Sequence, residues 1–164
     1  MSTSVRSATV ADLDDIVRIY NEGIRGRGAT FETTERVRDD IEPWLSGHHP
    51  LLVAERDARV VGWVHSSPYR PRACYAGIGD FSVYVATDAK GLRVGDALMH
   101  AFLPACEAIG LWKILSRIFP ENHASRSLCA RHGFREVGLY EKHARLDGRW
   151  RDVVIVERLL SSSR

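Results

Sequence analysis

Six consecutive residues, Lys90-Gly91-Leu92-Arg93-Val94-Gly95, combine two glycines with two cations between an apolar stretch, Ser82-Val83-Tyr84-Val85, and a helical stripe. A strand that feeds such a loop and then a helix leaves the first helical N–H groups without intrahelical acceptors. The helix end adds the equivalent of roughly half a positive charge. That combination suits a pyrophosphate. Gly91 and Gly95 let the backbone come close, and Lys90 and Arg93 add charge-assisted bonds. The plainer alternative is that both glycines only shape a turn and a packing contact. The loop is neither a P-loop, since GxxxxGK followed by Ser or Thr is missing, nor a GxGxxG fingerprint. Metal and disulfide chemistry find no support: Cys74, Cys106 and Cys129 are odd in number and far apart, so reduced thiols are expected. The seven histidines show no ligand spacing, and His48-His49 reads as a polar turn before Pro50.

The elements that must position this loop follow from periodicity. Val5 to Ala8 is a strand, and Thr9 caps a helix with Asp12 as a capping-box partner. Leu13, Ile16, Val17, Tyr20 and Ile24 form its apolar face, and Gly23, Gly26 and Gly28 are expected to break it into a flexible stretch ending at Thr30-Phe31. A second helix, about Thr34 to Leu45, presents Val37, Ile41 and Trp44 on one side. Leu51 to Glu55 and Val60 to Ser66 make a hairpin around Arg56-Asp57-Ala58-Arg59. A Pro- and Arg-rich loop, Ser67 to Ala73, precedes the strand Ile78 to Val85. Ala97, Leu98, Ala101, Phe102, Ala105 and Ile109 form a helical stripe stopped by Gly110. Trp112 to Phe119 is a strand, His123 to Arg131 a helix closed by Gly133. Strands near Arg135 to Glu141 and Arg151 to Leu159, joined through Asp147-Gly148, finish the chain. The order β-α-α-β-β-β-α-β-α-β-β predicts a mixed α/β sheet rather than Rossmann alternation.

The 164 residues suit one domain, 1–164, ending in a polar tail from Ser161 to Arg164 that is expected to fray. A 45% hydrophobic, 27% charged composition is that of a globular chain able to fold without a metal or disulfide. A net charge of +2 with interleaved signs argues against a nucleic-acid partner. No apolar run approaches a membrane span, and the N-terminus lacks the apolar region of a signal peptide. A cytoplasmic location with no membrane partner is therefore expected.

Three segments carry a family resemblance. The first is the loop, where Lys90-Gly91-Leu92-Arg93-Val94-Gly95 is similar to Gln/Arg-x-x-Gly-x-Gly/Ala, with Gly95 matching and Arg93 standing at the first glycine. The second is Asn122-His123-Ala124-Ser125, followed by Ala130-Arg131-His132-Gly133-Phe134. The third is Arg72-x-x-Tyr75, then Asp80, then Ser82-Val83-Tyr84-Val85, supported by Asp147-Gly148-x-Trp150-x-Asp152. Over about Val5 to Leu160 the chain resembles the GCN5-related N-acetyltransferase superfamily. Within it, the chain is most similar to the branch of phosphinothricin, methionine sulfoximine and arsinothricin N-acetyltransferases, whose usual carboxylate at position 80 is Glu.

The resemblance implies an acyl-CoA N-acyltransferase fold with a splayed central sheet flanked by helices, acetyl-CoA as co-substrate, no metal, and a homodimer. It assigns the cofactor to Val83, Tyr84, Val85, Lys90, Gly91, Arg93, Val94, Gly95, Asp96, Ala97, Asn122 and Ser125. Strand 82–85 should part from strand 112–119 to admit the pantetheine, with the N–H of Val83 or Tyr84 holding the oxyanion. The alternative for Asn122 and Ser125 is capping of the following helix.

An α-amine with a pKa near ~8 is only about one-tenth neutral at pH 7, so acetyl transfer gains from a base. The resemblance places that role on Asp80, acting directly or through one water, with its short side chain favouring the water. Asp80 needs burial to raise its basicity, or else it merely pairs with a nearby Arg or caps a turn. Arg72 is the candidate for an acceptor carboxylate or phosphinate, with Tyr75 beside it, unless Arg72 is a solvated loop arginine. Phe31 is either a lid over the substrate or core packing. Tyr140 and His132 are weak candidates for the acid that protonates the leaving thiolate. The expected activity is acetylation of a small amino acid or analogue. The alternatives are a peptide N-terminal acetyltransferase and, because of Arg93 and Asp80, a non-catalytic CoA-binding sensor or partner-binding module.

Overall fold

The computed structural model describes residues 2–161, so of the polar tail only Ser161 is within the described residues. The strands are β1 (Ser4–Ser7), β2 (Leu51–Arg56), β3 (Arg59–Pro68), β4 (Ile78–Val85), β5 (Lys113–Ile118), β6 (Arg135–Leu146) and β7 (Arg149–Leu159). The helices are α1 (Leu13–Gly26), α2 (Arg38–Ile41), α3 (Val94–Ala108) and α4 (His123–Arg131). The sheet order is β1-β2-β3-β4-β5-β7-β6, and every neighbour is antiparallel except the β4–β5 pair. This is the expected mixed α/β sheet, in the expected order of elements. Among the described residues no helix is long and apolar enough to cross a membrane.

Local chemistry explains most boundaries. The Asp12 carboxylate accepts from the Thr9 N–H at 2.7 Å, as the capping pair predicts, and also holds Arg6 at 2.7 Å. Asp57 and Ala58 both adopt positive φ (53° and 61°), the two-residue turn whose twist matches a hairpin. One face of the sheet packs on α1 through Trp63, Tyr84 and Tyr20, with Trp63 and Tyr84 stacked at 4.8 Å. The other face packs on α3, where Phe81 meets Phe102 at 5.8 Å.

Four expectations need correction. Helix α1 is not broken at Gly23; it runs to Gly26 and ends at Arg27, which takes the left-handed conformation (φ 59°). Gly23 serves packing instead: a Cβ there would lie 2.4 Å from the Tyr84 ring. The second helix does not begin at Thr34. Asn21, buried on α1, binds both the N–H and the C=O of Arg36 (2.7 and 3.0 Å) and holds that segment out of the helix. The Asp40 carboxylate accepts from the Val37 N–H at 2.8 Å, so α2 starts after Val37, whose side chain is exposed, and a 3-10 turn, Glu42–Ser46, follows. Strand β3 continues to Pro68, which shortens the Pro- and Arg-rich loop. Strand β6 continues past Glu141 to Leu146, because two register shifts, at Glu136/Gly138 and Tyr140/Ala144, absorb its irregularity.

Candidate active site

Strands β4 and β5 run side by side only from Ile78 opposite Lys113 to Asp80 opposite Leu115. Beyond that point both strands continue without pairing, and the sheet forks. At the base of the fork the Ser116 hydroxyl donates to the Phe81 carbonyl at 2.9 Å, a side chain occupying the place of the next ladder bond. The direction of that bond fixes the β4 backbone. Phe81 faces β5, so Val83 and Val85 also turn their N–H and C=O groups into the fork, because backbone direction alternates along a strand. The Ala86 N–H, bonded to the Val61 carbonyl at 2.8 Å, faces the other way, and with it Ser82 and Tyr84. Of the two amides weighed for an oxyanion, Val83 therefore points into the fork and Tyr84 points to β3.

The fork opens into a cavity of about 490 Å³ at the N-terminus of α3. Val83, Tyr84, Val85, Lys90, Gly91, Arg93, Val94, Gly95, Asp96, Asn122 and Ser125 line it. Ala97 lines an adjoining surface depression with His100 and His132. The turn and packing reading of the glycines holds. Gly91 takes φ +81°, which an L side chain resists, and a Cβ on Gly95 would crowd Leu128 of α4 at 3.1 Å. Turn and packing are what shape the loop. Arg93 itself adopts the left-handed conformation (φ 61°), so the backbone turn that glycine favours is kept at a strain cost of about 1–2 kcal/mol, while its side chain is exposed. Asp96 does not cap α3. Its carboxylate takes Arg131 (3.0 Å) and His132 (2.8 Å), tying α3 to α4, and these partners, Arg131 first, hold its pKa below the usual carboxylate value. Glu22 of α1, which the sequence did not single out, accepts from the Thr87 N–H at 2.9 Å and pins the start of the loop. The Asn122 carboxamide oxygen accepts from the Ser125 N–H at 3.2 Å, so the capping reading is correct, and the residue also lines the cavity.

The remaining candidates lie outside this cavity. Asp80 sits at the last paired position of the fork, half-buried, with Arg117 of β5 at 3.3 Å. Its other oxygen, Oδ1, is buried without a hydrogen-bond partner. Burial pushes the Asp80 pKa above the usual carboxylate value, against the opposing pull of Arg117. His65 lies opposite Ser82 on the same face, stacked on Trp44 at 4.0 Å, and burial pushes its pKa down to about 4, so it is neutral at pH 7. Arg72 is exposed before a 3-10 turn, with its guanidinium over the Tyr75 ring at 5.8 Å and no ion pair among the described residues. Tyr75 is half-buried and perpendicular to Tyr69. Phe31 packs edge-on against Phe119, just past the end of β5, at 4.9 Å, and Arg151 covers Phe119 at 4.0 Å. Tyr140 is exposed on β6, and His132 is held by Asp96; neither lines the cavity.

The surroundings fit acetyl-CoA. An inner strand edge offers two outward-facing residues to an extended amide chain, and the cavity beside it ends at a helix N-terminus with Lys90 and Arg93. Comparison with known proteins agrees. Residues 13–134 match the model of the acetyltransferase (GNAT) family. The phosphinothricin N-acetyltransferase of Streptomyces coelicolor is 35% identical over 163 residues, spanning 95% of each chain. The L-methionine sulfoximine/L-methionine sulfone acetyltransferase of Pseudomonas paraeruginosa is 31% identical, spanning 100% of this chain and 98% of that one. Among solved structures, a GNAT superfamily phosphinothricin acetyltransferase from Sinorhizobium meliloti in complex with AcCoA superposes with a TM-score of 0.91 at 28% identity, covering 98% of this chain and 89% of that one.

Proposed function

The chain belongs to the GNAT acetyltransferase family and is an acetyl-CoA-dependent N-acetyltransferase; on that premise we propose that its acceptor is the amino group of a small acid-bearing amino acid or analogue, of the phosphinothricin or methionine sulfoximine kind. The observation that carries this reading is the fork. It sets an inward-facing backbone amide, Val83, close along the strand to a half-buried carboxylate, Asp80, whose Oδ1 is buried and unbonded.

Bound acetyl-CoA supplies a thioester carbonyl as the electrophile. In this proposal Val83 and Val85 hold the pantetheine arm as a strand would, while Gly91, Arg93 and the first turn of α3 receive the pyrophosphate with Lys90 beside it. Asn122 and Ser125 form the α4 wall. Asp80 accepts the amine proton through a water, and its raised pKa improves it for that task. The Val83 N–H stabilises negative charge as it develops on the acetyl oxygen. Arg72 and Tyr75 border the acceptor, and Phe31 closes the far end against Phe119. The thiolate takes its proton from solvent or from the protonated relay. We place the chain in the cytoplasm as a single domain, 1–164, working as a homodimer. Exposed apolar residues on the edge strand β6, Val137, Leu139 and Tyr140, support the dimer.

Release of CoA thiol with acetyl-CoA and a panel of phosphinothricin, methionine sulfoximine, methionine sulfone, ordinary amino acids, peptides and an aminoglycoside tests the reading. Saturable turnover on an amino-acid analogue is expected. Binding of acetyl-CoA with no turnover of any amine would instead favour a CoA-binding sensor.

A further inference from the structure

The Asp80–Arg117 pair has a shape that the proposed chemistry has not yet used. Leu115 is the register partner of Asp80, and Arg117 lies two residues further along β5, so its side chain emerges on the same face as Asp80. Asp80 thus stands at the base of the fork on one arm, and Arg117 stands on the other arm. They touch once, Nη2 to Oδ2 at 3.3 Å. A guanidinium has five N–H donors, and among the described residues this is the only hydrogen bond the Arg117 side chain makes. Its side chain is 42% exposed against 18% for Asp80. The carboxylate keeps a second oxygen, Oδ1, buried and unbonded. A spare acceptor and several spare donors therefore sit next to each other beside the fork.

We propose that the Asp80–Arg117 pair is a receptor for the zwitterionic end of an α-amino acid, in which Arg117 binds the acceptor's α-carboxylate while Asp80 faces its amine. The inference rests on the N-acetyltransferase reading above and names the acceptor's recognition element. Amine and carboxylate on one carbon match two side chains already in contact. A carboxylate can engage a guanidinium through two parallel bonds, whereas Asp80 uses one, so the acceptor competes well for Arg117. When the acceptor's carboxylate takes Arg117, Asp80 loses the partner that weakens it as a base. An amine without an adjacent carboxylate leaves the pair closed. Arg72 is then available to an anion farther along the acceptor's side chain.

The test is a cycle between enzyme and substrate: L-methionine sulfone and its carboxamide, each with the wild type, Arg117→Gln and Arg117→Lys. Removing a charge-assisted contact is worth about 10–100-fold, so Arg117→Gln should lower kcat/KM for the acid by that factor. It should leave the carboxamide unchanged or improved, so the preference for the acid collapses. Arg117→Lys should retain part of it, and the KM for acetyl-CoA should stay fixed throughout. The ratio of ratios cancels the different amine basicities. An equal loss on both substrates, or a preserved preference, overturns the proposal. If no amine turns over, calorimetric binding of the same two compounds decides separately. Acid binding that Arg117→Gln abolishes keeps the receptor and sinks the transferase reading; binding indifferent to Arg117→Gln overturns the receptor.

Discussion

Replacing Gly23 by Ala puts two physical arguments in direct opposition. Gly23 lies inside α1, where alanine is better than glycine by about 1 kcal/mol on helix propensity alone. Propensity therefore predicts a gain in stability. The packing predicts a loss. The new methyl would lie 2.4 Å from Cε2 and 2.7 Å from Cδ2 of Tyr84. Carbon atoms in contact prefer about 3.5–4.0 Å, so helix or ring must yield by roughly 1 Å. The ring is held on two sides, stacked on buried Trp63 at 4.8 Å and leaning on Tyr20 at 5.0 Å, so it can yield only toward the cofactor cavity, at the expense of those contacts. Overpacking of this kind costs up to about 3 kcal/mol, which leaves a net loss near 2 kcal/mol after the propensity gain. For a chain of this size that is a fall in Tm of roughly 4–8 °C. Gly23 and Tyr84 also line the cofactor cavity, so the KM for acetyl-CoA should rise in the same variant. Thermal unfolding of the two proteins side by side is the assay. A Tm raised by a few degrees would show that α1 and Tyr84 are not packed as described.

Two other outcomes follow from the titratable groups. Asp80→Asn should lower kcat/KM for the amine by about 10²–10⁴-fold with acetyl-CoA affinity intact, and should abolish the acidic limb of the wild-type pH profile, which is set by a carboxyl pKa that burial has raised. Because the folded pKa exceeds the unfolded one, ionised Asp80 weighs against folding as pH rises through that window, so the Asn variant should unfold at or above the wild-type Tm at pH 7–8; a lower Tm would mean that the Arg117 pairing outweighs burial. Burial pushes the Cys106 and Cys129 thiols up to about 12, while Cys74 is exposed, so a disulfide reagent should label one thiol per native chain and three after denaturation. Labelling of more than one native thiol would contradict the packing around α3 and α4.

What the sequence revealed and what it hid divide by distance along the chain. The turn at Gly91, the α4 segment from Asn122 and the Asp57-Ala58 hairpin are local events, each decided by residues within one or two turns, and each was readable in advance. Arg117 escaped notice because its meaning depends on which residue of β4 it faces, and that is fixed by pairing strands 37 positions apart. Gly23 looked like a helix breaker because nothing local reveals the ring of Tyr84 above it. The extended run before α2 depends on a carboxamide fifteen residues earlier, so periodicity alone extended the helix too far. The splay was anticipated only through the family resemblance. Its structural mark, a serine hydroxyl in the place of a ladder bond, is a tertiary fact.

The short seam between β4 and β5 also has a mechanical consequence. A sheet normally resists bending as one plate, but here the backbone ladder between two plates, β1 to β4 and β5 with β7 and β6, runs only from Ile78 and Lys113 to Asp80 and Leu115. A chain that lies between them and bonds to Val83 and Val85 acts as a rivet. Ligand binding to the native state alone adds about 2.7 kcal/mol of stability at a hundredfold excess over Kd, and here that increment falls along one line of the molecule. The rigidity of the sheet thus follows the thioester supply: amide exchange along the inner edge of β4 should slow as the ligand concentration rises, while the hairpin of β2 and β3 keeps its own rate.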